Sequence, residues 1–133
     1  MTVPLHPALD PPLTILLVDD ALDCVAMLDV ALQTLPGVVV RCAHSAEHAL
    51  EILALGRVSA LVTDIQLPGM TGIELITRIR QEPGLHALPI VVVSAVVDPS
   101  APRAALASGA NAFFPKPFSP AAVRRKLEEL MYA

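Results

Sequence analysis

Four polar groups of this chain follow directly on apolar segments and could do chemistry together. Asp19 and Asp20 follow the run 15–18, Asp64 follows 60–63, Ser94 follows 90–93, and Lys116 follows 112–115. If these runs are parallel strands of one sheet, their carboxyl ends meet at one edge, where open α/β sheets bind their ligands. Three carboxylates, one hydroxyl and one ammonium near each other indicate a site for a divalent cation and a phosphoryl group.

The elements that must position these groups alternate between strand-like and helix-like patterns from Leu13 onward. Predicted strands cover 13–18, 38–43, 59–63, 90–93 and 112–114. Predicted helices cover 21–35, 45–56, 71–82, 101–108 and 119–130, with Val25, Leu28, Leu32 and Leu35 as the buried stripe of the first helix. Strands one, three and four are nearly continuous apolar runs, which is typical of strands buried on both faces. Right-handed crossovers then predict an α/β fold with a doubly wound, five-stranded parallel sheet and five helices.

Composition excludes several classes of function. The chain has 133 residues, a net charge of −4 and no basic run, which argues against direct nucleic-acid binding. Its apolar runs are too short for a membrane span, so no membrane insertion is expected. Cys24 and Cys42 lack metal-ligand spacing, which favours a reduced, cytoplasmic protein. Residues 1–12 carry four prolines and are predicted to be a tail or linker before a domain at 13–133.

The order of short motifs identifies a family. The motifs are Val18-Asp19-Asp20, the segment 64–72 (DIQLPGMTG), Ser94-Ala95, Gly109-Ala110 and Lys116-Pro117-Phe118. Each motif is weak alone, but together and in this order they resemble the response-regulator receiver domains of two-component signalling, over about Leu13 to Leu130. The resemblance is to chemotaxis-regulator-like, flavodoxin-like domains. It implies the strand order 2-1-3-4-5, which places Asp19 and Asp20 beside Asp64.

The resemblance assigns a role to each acidic residue. Asp64 would be the phosphoacceptor, because a carboxylate can attack phosphorus and form an acyl phosphate. A hard cation, Mg²⁺ or Mn²⁺, would neutralise the charge of the transferring group. Asp20 and Asp64 would bind the cation directly, Asp19 partly through water, and Gln66 through its backbone carbonyl. The domain would catalyse its own phosphorylation and slow dephosphorylation without turning over a separate substrate.

Three further residues would read the phosphoryl group. By resemblance, Lys116 would pair with Asp64 at rest and with a phosphoryl oxygen after transfer. Ser94 would hydrogen-bond another phosphoryl oxygen, and Phe113 would swing inward as Ser94 moves. The changed surface would be formed by helix four, strand five and helix five. A downstream partner would contact this surface, but the sequence does not identify that partner. The family usually has a cis peptide at Lys116–Pro117.

The donor of the phosphoryl group would be a histidine kinase or a histidine phosphotransfer protein. Helix one keeps a partly uncovered apolar face formed by Cys24, Met27, Val30 and Ala31, which predicts a docking surface together with the Pro117–Phe118 loop. The alternative for the helix-one face is that the Pro-rich tail folds over it. That tail also fits a linker after another domain, so a stand-alone regulator and a piece of a hybrid kinase both remain open.

Other functions were weighed against the same residues. A non-phosphorylated interaction module with receiver architecture is the main alternative, although such modules usually lose an acid or the lysine. A haloacid-dehalogenase-type phosphohydrolase needs Asp-x-Asp, which Asp20-Ala21-Leu22 does not supply. A flavin site is disfavoured by the acidic loop after strand one and by the presence of a single tyrosine and no tryptophan.

Overall fold

A computed structural model describes residues 12–132, and it contains one five-stranded parallel sheet in the order β2-β1-β3-β4-β5. The elements are β1 (Leu13–Val18), α1 (Leu22–Leu32), β2 (Val38–Ala43), α2 (Ala46–Ala54), β3 (Ala60–Thr63), α3 (Gly72–Gln81), β4 (Ile90–Ser94), α4 (Ala101–Ser108), β5 (Ala112–Pro115) and α5 (Pro120–Met131). The predicted fold class, strand order and helix number are therefore confirmed. Apart from Pro12, the tail predicted at 1–12 lies outside the described residues.

The strand register brings the polar residues of different strands to one edge. Val18 of β1 pairs with Thr63 of β3, so Asp19 and Asp64 each come one residue after a paired position. The Asp64 amide donates to the Val18 carbonyl at 3.0 Å, which extends this pairing to the acid itself. On the other side, the Lys116 amide donates to the carbonyl of Ser94 at 2.8 Å. Backbone pairing alone thus fixes which polar residues are neighbours.

Aliphatic side chains cover both faces of the sheet, as the continuous apolar runs predicted. On one face α2, α3 and α4 pack against Leu16, Leu61 and Val92. On the other face α1 and α5 pack against neighbouring strand residues such as Leu17 and Val62. Successive strand residues point to opposite faces, and apart from Leu13 and Thr14 at the start of β1 every residue of the three central strands is buried. Burial on both faces makes the sheet a rigid base for the groups at its edge.

Side-chain caps begin three of the helices where the sequence predicted them. The Ser45 hydroxyl accepts from the His48 amide before α2, and the Ser119 hydroxyl accepts from the Ala122 amide before α5. Thr71 forms a reciprocal capping box with Glu74 before α3. The α3 cap also fixes the end of the loop that follows Asp64.

The first helix differs from its prediction. It spans Leu22–Leu32 and not 21–35, since residues 33–35 form a turn. Val25 is only half-buried, and Cys24 takes its place in the core at 8% exposure. The inclusion of Cys24 in an exposed docking face was therefore wrong: its position in the helix points towards β1 and α5, which cover it. The large apolar residues of α1 that remain exposed are Leu22, Met27 and Val30.

An arginine that the sequence analysis did not single out joins α3 to the far edge of the sheet. The Arg80 guanidinium donates to the Gly109 carbonyl at 2.7 and 3.0 Å and to the Asn111 side chain at 3.2 Å. It also donates to the carbonyls of Leu85 and His86. Burial lowers the pKa of Arg80. These contacts of Arg80 hold the end of α4 and the start of β5 against α3.

No helix among residues 12–132 is long and apolar enough to cross a membrane.

Candidate functional site

The ammonium of Lys116 lies between two acidic side chains at the carboxyl edge of the sheet. Its Nζ lies 2.8 Å from Oδ2 of Asp64 and 2.9 Å from Oδ2 of Asp19. Both carboxylates are almost fully buried, and the lysine side chain is 18% exposed. Two carboxylates this close would repel each other strongly, so the single ammonium makes the arrangement stable.

Asp64 is held by contacts on both carboxylate oxygens. Oδ1 accepts a hydrogen bond from the Ser94 hydroxyl at 2.8 Å and from the Gln66 amide at 3.0 Å, and Oδ2 accepts from Lys116. Ser94 is completely buried as the last residue of β4. These contacts fix the rotamer of Asp64 before any ligand arrives, which is the condition for a positioned nucleophile.

Asp19 is oriented in a similar way from the end of β1. Oδ1 accepts the Ala21 amide at 2.8 Å, while Oδ2 accepts from Lys116. The Cys24 thiol lies below it on α1. Burial, followed by a hydrogen bond to Asp19, raises the pKa of Cys24 to about 12. Cys24 therefore stays a neutral thiol beside the acidic pair and is no nucleophile at neutral pH.

The charge state of Lys116 follows from competing effects. Burial works to lower the pKa of Lys116, but the hydrogen bonds to Asp64 and then Asp19 outweigh it and raise the pKa above its usual value. Lys116 is thus a permanent cation at any physiological pH. The peptide bond between Lys116 and Pro117 is cis, as the resemblance implied.

The remaining acid, Asp20, lies apart from the buried pair. Asp20 and Gln66 are exposed, and no three histidine, cysteine or acidic side chains in the described chain lie close enough together to hold a metal ion by themselves. The donors present still suit a hard cation, because all are oxygens and Mg²⁺ keeps several waters with one or two carboxylates. The residues therefore fit Mg²⁺ or Mn²⁺ with water in part of the shell.

A tight loop connects Asp64 to α3. The Gly72 amide donates to the Ile65 carbonyl at 2.9 Å and closes the loop at its base. A Cβ built on Gly72 would overlap the carbonyl oxygen of Asp64, so only glycine lets α3 begin this close to the end of β3. The motif 64–72 contains Gly72, whose role the sequence did not predict; its place eight residues after Asp64 was the available signal.

The predicted switch and docking residues surround this centre. Phe113 on β5 is half-buried and packs against the helix face formed by α2, α3 and α4. Pro117 is exposed beside the lysine, while Phe118 is half-buried against the α1–α5 face. Met27 and Val30 lie exposed on α1, which packs against α5. The structure thus leaves an apolar surface on α1 and a half-buried aromatic ring on β5.

Known proteins match both the sequence and the fold. The sequence profile of the response regulator receiver domain matches residues 15–128. The sensory/regulatory protein RpfC of Xanthomonas campestris is 37% identical over 93 residues, which is 68% of this chain but 13% of RpfC. This chain therefore spans only a small part of that relative.

Solved structures agree with this match. A solved protein from Chloroflexus aurantiacus superposes with a TM-score of 0.85 at 36% identity, over 92% of this chain and 99% of that one. The chemotaxis response regulator CheY4 of Vibrio cholerae superposes with a TM-score of 0.80 at 26% identity, over 90% of this chain and 98% of its own. The chain belongs to the response regulator receiver domain family.

Proposed function

We propose that Asp64 accepts a phosphoryl group from a phosphohistidine and that Lys116 and Ser94 bind that group afterwards. The observation that carries this proposal is the shared placement of Lys116 against Asp19 and Asp64, with the Ser94 hydroxyl on the same Asp64 carboxylate. A carboxylate nucleophile with a cation and a hydroxyl each within hydrogen-bond distance of it is the kind of set that phosphoryl transfer uses.

The transfer needs no reactant besides the phosphohistidine donor and water. A carboxylate oxygen of Asp64 forms a bond to phosphorus as the bond from phosphorus to the histidine nitrogen breaks. The imidazole leaves with the electron pair of that bond and takes a proton from water. Lys116 stays charged throughout because its pKa is raised. Its ammonium can therefore exchange its hydrogen bond to the Asp64 carboxylate for one to a phosphoryl oxygen.

A divalent cation completes the proposal. Asp20, Asp64 and, through water, Asp19 would hold Mg²⁺ or Mn²⁺ together with the Gln66 carbonyl, and the bound ion would offset the negative charge of the phosphoryl oxygens. Asp19 and Asp64 are already close enough to share one cation, the Lys116 ammonium. The exposure of Asp20 leaves it accessible to an ion arriving from solvent.

Phosphorylation would change the surface of the domain by way of the Ser94 hydrogen bond. The Ser94 hydroxyl donates to Asp64 at rest, so a phosphoryl oxygen would compete for the same donor. A bond present in only one of two states shifts the balance between them. Movement of Ser94 would let Phe113, half-buried on β5, turn inward and change the surface of α4, β5 and α5.

A histidine kinase or histidine phosphotransfer protein would supply the phosphoryl group. Leu22, Met27 and Val30 are exposed on α1, and Pro117 is exposed on the neighbouring loop, so an apolar partner surface could cover them together. Partners of this kind would place the domain in the cytoplasm. The domain would dephosphorylate slowly by itself and would have no other substrate.

The experiment that tests the acceptor is chemical trapping. After incubation with acetyl phosphate and Mg²⁺, borohydride reduces an acyl phosphate to an alcohol, and peptide mass spectrometry locates the changed residue. We expect Asp64 to be converted and Asp98, an exposed aspartate outside the site, to remain intact. Conversion of another residue would overturn the assignment of Asp64 as the acceptor. Conversion of no residue in a folded protein would support the alternative of a non-phosphorylated interaction module.

A further inference from the structure

Hydrogen bonds hold the loop 65–71, which follows Asp64, at two places. One bond lies between residues at the two ends of the loop, and the other comes from a residue of α2. At its base, the Gly72 amide bonds to the Ile65 carbonyl. Near its tip, the amide of Met70 donates to Oε2 of Glu47 at 3.2 Å. The side chains that hydrogen-bond to the loop 65–71 from outside it are those of its neighbours Asp64 and Glu74 and, within residues 12–132, that of one residue distant in the sequence, Glu47. The loop tip is therefore tied to α2.

A glycine makes room for that carboxylate. A Cβ built on Gly69 would lie 2.9 Å from Oε2 of Glu47, closer than side-chain contacts allow. Gly69 also has φ +75°, a conformation that other residues adopt at a cost. The Glu47 carboxylate thus lies directly against the backbone at Gly69 and Met70. The close approach and the turn both depend on the same residue.

The hydrogen bond from Met70 to Glu47 is important because the same loop contains a proposed ligand of the cation. Gln66, whose backbone carbonyl is the proposed cation ligand, lies between the base of the loop and its tip. The Gln66 amide donates to Asp64 at 3.0 Å, which holds the peptide on the N-terminal side of Gln66. The Gln66 carbonyl lies in the next peptide, so its orientation depends on the course of the loop from Gln66 to Met70. Outer contacts that orient a ligand typically change metal affinity even though they do not touch the ion.

We infer that Glu47 is a positioning residue for the cation site, acting through its hydrogen bond to Met70. This inference rests on the proposed function, since it requires that Asp64 and the Gln66 carbonyl bind a divalent cation. Glu47 is exposed in the first turn of α2. In the part of the chain that the structure describes, its side chain bonds to the Met70 amide and makes no hydrogen bond or ion pair with Asp19, Asp64 or Lys116. Its effect would therefore be on the geometry of the loop and not on the nucleophile.

The chain offers matched variants that separate a hydrogen bond from a charge. Glu47→Ala removes both, whereas Glu47→Gln keeps an acceptor for the Met70 amide and removes the charge. Glu51→Ala removes the same charge from an exposed position one turn further along α2. Because Glu47 is exposed, all three proteins are expected to fold, and their melting temperatures in EDTA provide the check.

The test measures Mn²⁺ affinity by equilibrium dialysis and the exchange rate of the Met70 amide hydrogen by NMR. We expect Glu47→Ala to raise the Mn²⁺ dissociation constant about fivefold and to speed Met70 exchange. Glu47→Gln and Glu51→Ala should stay within about twofold of the wild type.

Each other outcome has a definite meaning. If Glu47→Ala binds Mn²⁺ as Glu51→Ala does, or if Glu47→Gln is as weak as Glu47→Ala, the positioning role is overturned while the proposed function stands. If the folded wild type takes up no Mn²⁺, the proposed cation site fails, and this inference fails with it.

Discussion

The hydroxyl of Ser94 donates a hydrogen bond of 2.8 Å to Oδ1 of Asp64, although thirty residues separate them in the sequence. Ser94 is the last residue of β4 and Asp64 directly follows the neighbouring strand β3, so the sheet itself creates the contact. In the proposed mechanism, the same hydroxyl donates its hydrogen bond to a phosphoryl oxygen once Asp64 is phosphorylated. The resting site thus already contains the bond that a phosphoryl group must break.

Ser94→Ala tests that exchange of partners. Loss of the hydroxyl removes one hydrogen bond from Asp64 and should lower the free energy of unfolding by about 1 kcal/mol. It should also weaken binding of beryllofluoride, a phosphoryl analogue, by about fivefold. Fluoride titration in the presence of beryllium and Mg²⁺, followed by NMR, measures this. Ser100→Ala removes an exposed hydroxyl nearby as a control, and equal analogue affinity for Ser94→Ala and wild type would exclude the role of Ser94.

Lys116→Met tests whether the ammonium offsets the acidic pair. Without it, Asp19 and Asp64 keep two buried charges with no cation, so unfolding in EDTA should become easier by about 3 kcal/mol. Mg²⁺ should stabilise this variant more than the wild type, because it replaces the missing charge. Urea titrations with EDTA and with Mg²⁺ measure both effects.

The control for Lys116 is an exposed ion pair. Lys126 lies 3.3 Å from Glu129, and their side chains are 37% and 59% exposed, so both are far more exposed than Asp19 and Asp64. Lys126→Met should therefore change stability by less than about 0.5 kcal/mol. A Lys116 variant no less stable than the Lys126 variant would show that the acidic pair needs no cation.

Gly72→Ala tests the close approach of α3 to Asp64. The added methyl group would overlap the Asp64 carbonyl, so either the loop or the end of β3 must shift. We expect a loss of about 2 kcal/mol in unfolding free energy and slower phosphorylation by acetyl phosphate. Gly84→Ala is the matched control, because a Cβ there meets no atom within 4 Å. Equal phosphorylation rates for the two variants would argue against tight positioning of Asp64.

Cys24 gives a prediction about pH. Its pKa of about 12 in the folded protein means that roughly one thiol in a thousand is ionised at pH 9. In Cys42→Ala, where Cys24 is the remaining cysteine, alkylation by iodoacetamide at pH 9 should be slow until urea unfolds the chain. Rapid alkylation of the folded protein would contradict the burial of Cys24 beside Asp19.

The same shift predicts how stability changes in alkali. The folded state holds the Cys24 proton more tightly than the unfolded state, so its contribution is complete below pH 9 and declines as the pH rises towards 12. Urea midpoints at pH 8 and pH 10 should therefore fall further in Cys42→Ala than in the double variant Cys24→Ala/Cys42→Ala. An equal decline in both would show that Cys24 does not contribute.

The sequence was sufficient for the features that depend on backbone pattern. Apolar runs ending in Asp19, Asp64, Ser94 and Lys116 predicted the sheet, and parallel register then placed these residues at one edge. Caps such as Thr71 with Glu74 fixed the helix starts, because a capping box is a local signal. Their roles in phosphoryl transfer remain predictions.

Features that depend on three-dimensional contact were missed. The position of Cys24 in the core is set by how α1 rotates against β1 and α5, which periodicity determines only to within a residue. The contacts of Arg80 join it to Gly109 and Asn111, which lie far from it in the sequence. The place of Glu47 beside Met70 likewise depends on where α2 lies over the sheet.

Asp64 is proposed to take a phosphoryl group in a reaction that needs a divalent cation. Intact mass after incubation with acetyl phosphate decides this, with wild type and Asp64→Asn each measured in Mg²⁺ and in EDTA. We expect one phosphoryl adduct on the wild type in Mg²⁺ and none in the other three samples. A folded wild type that gains no adduct in Mg²⁺, or an Asp64→Asn protein that gains the same one, would contradict it.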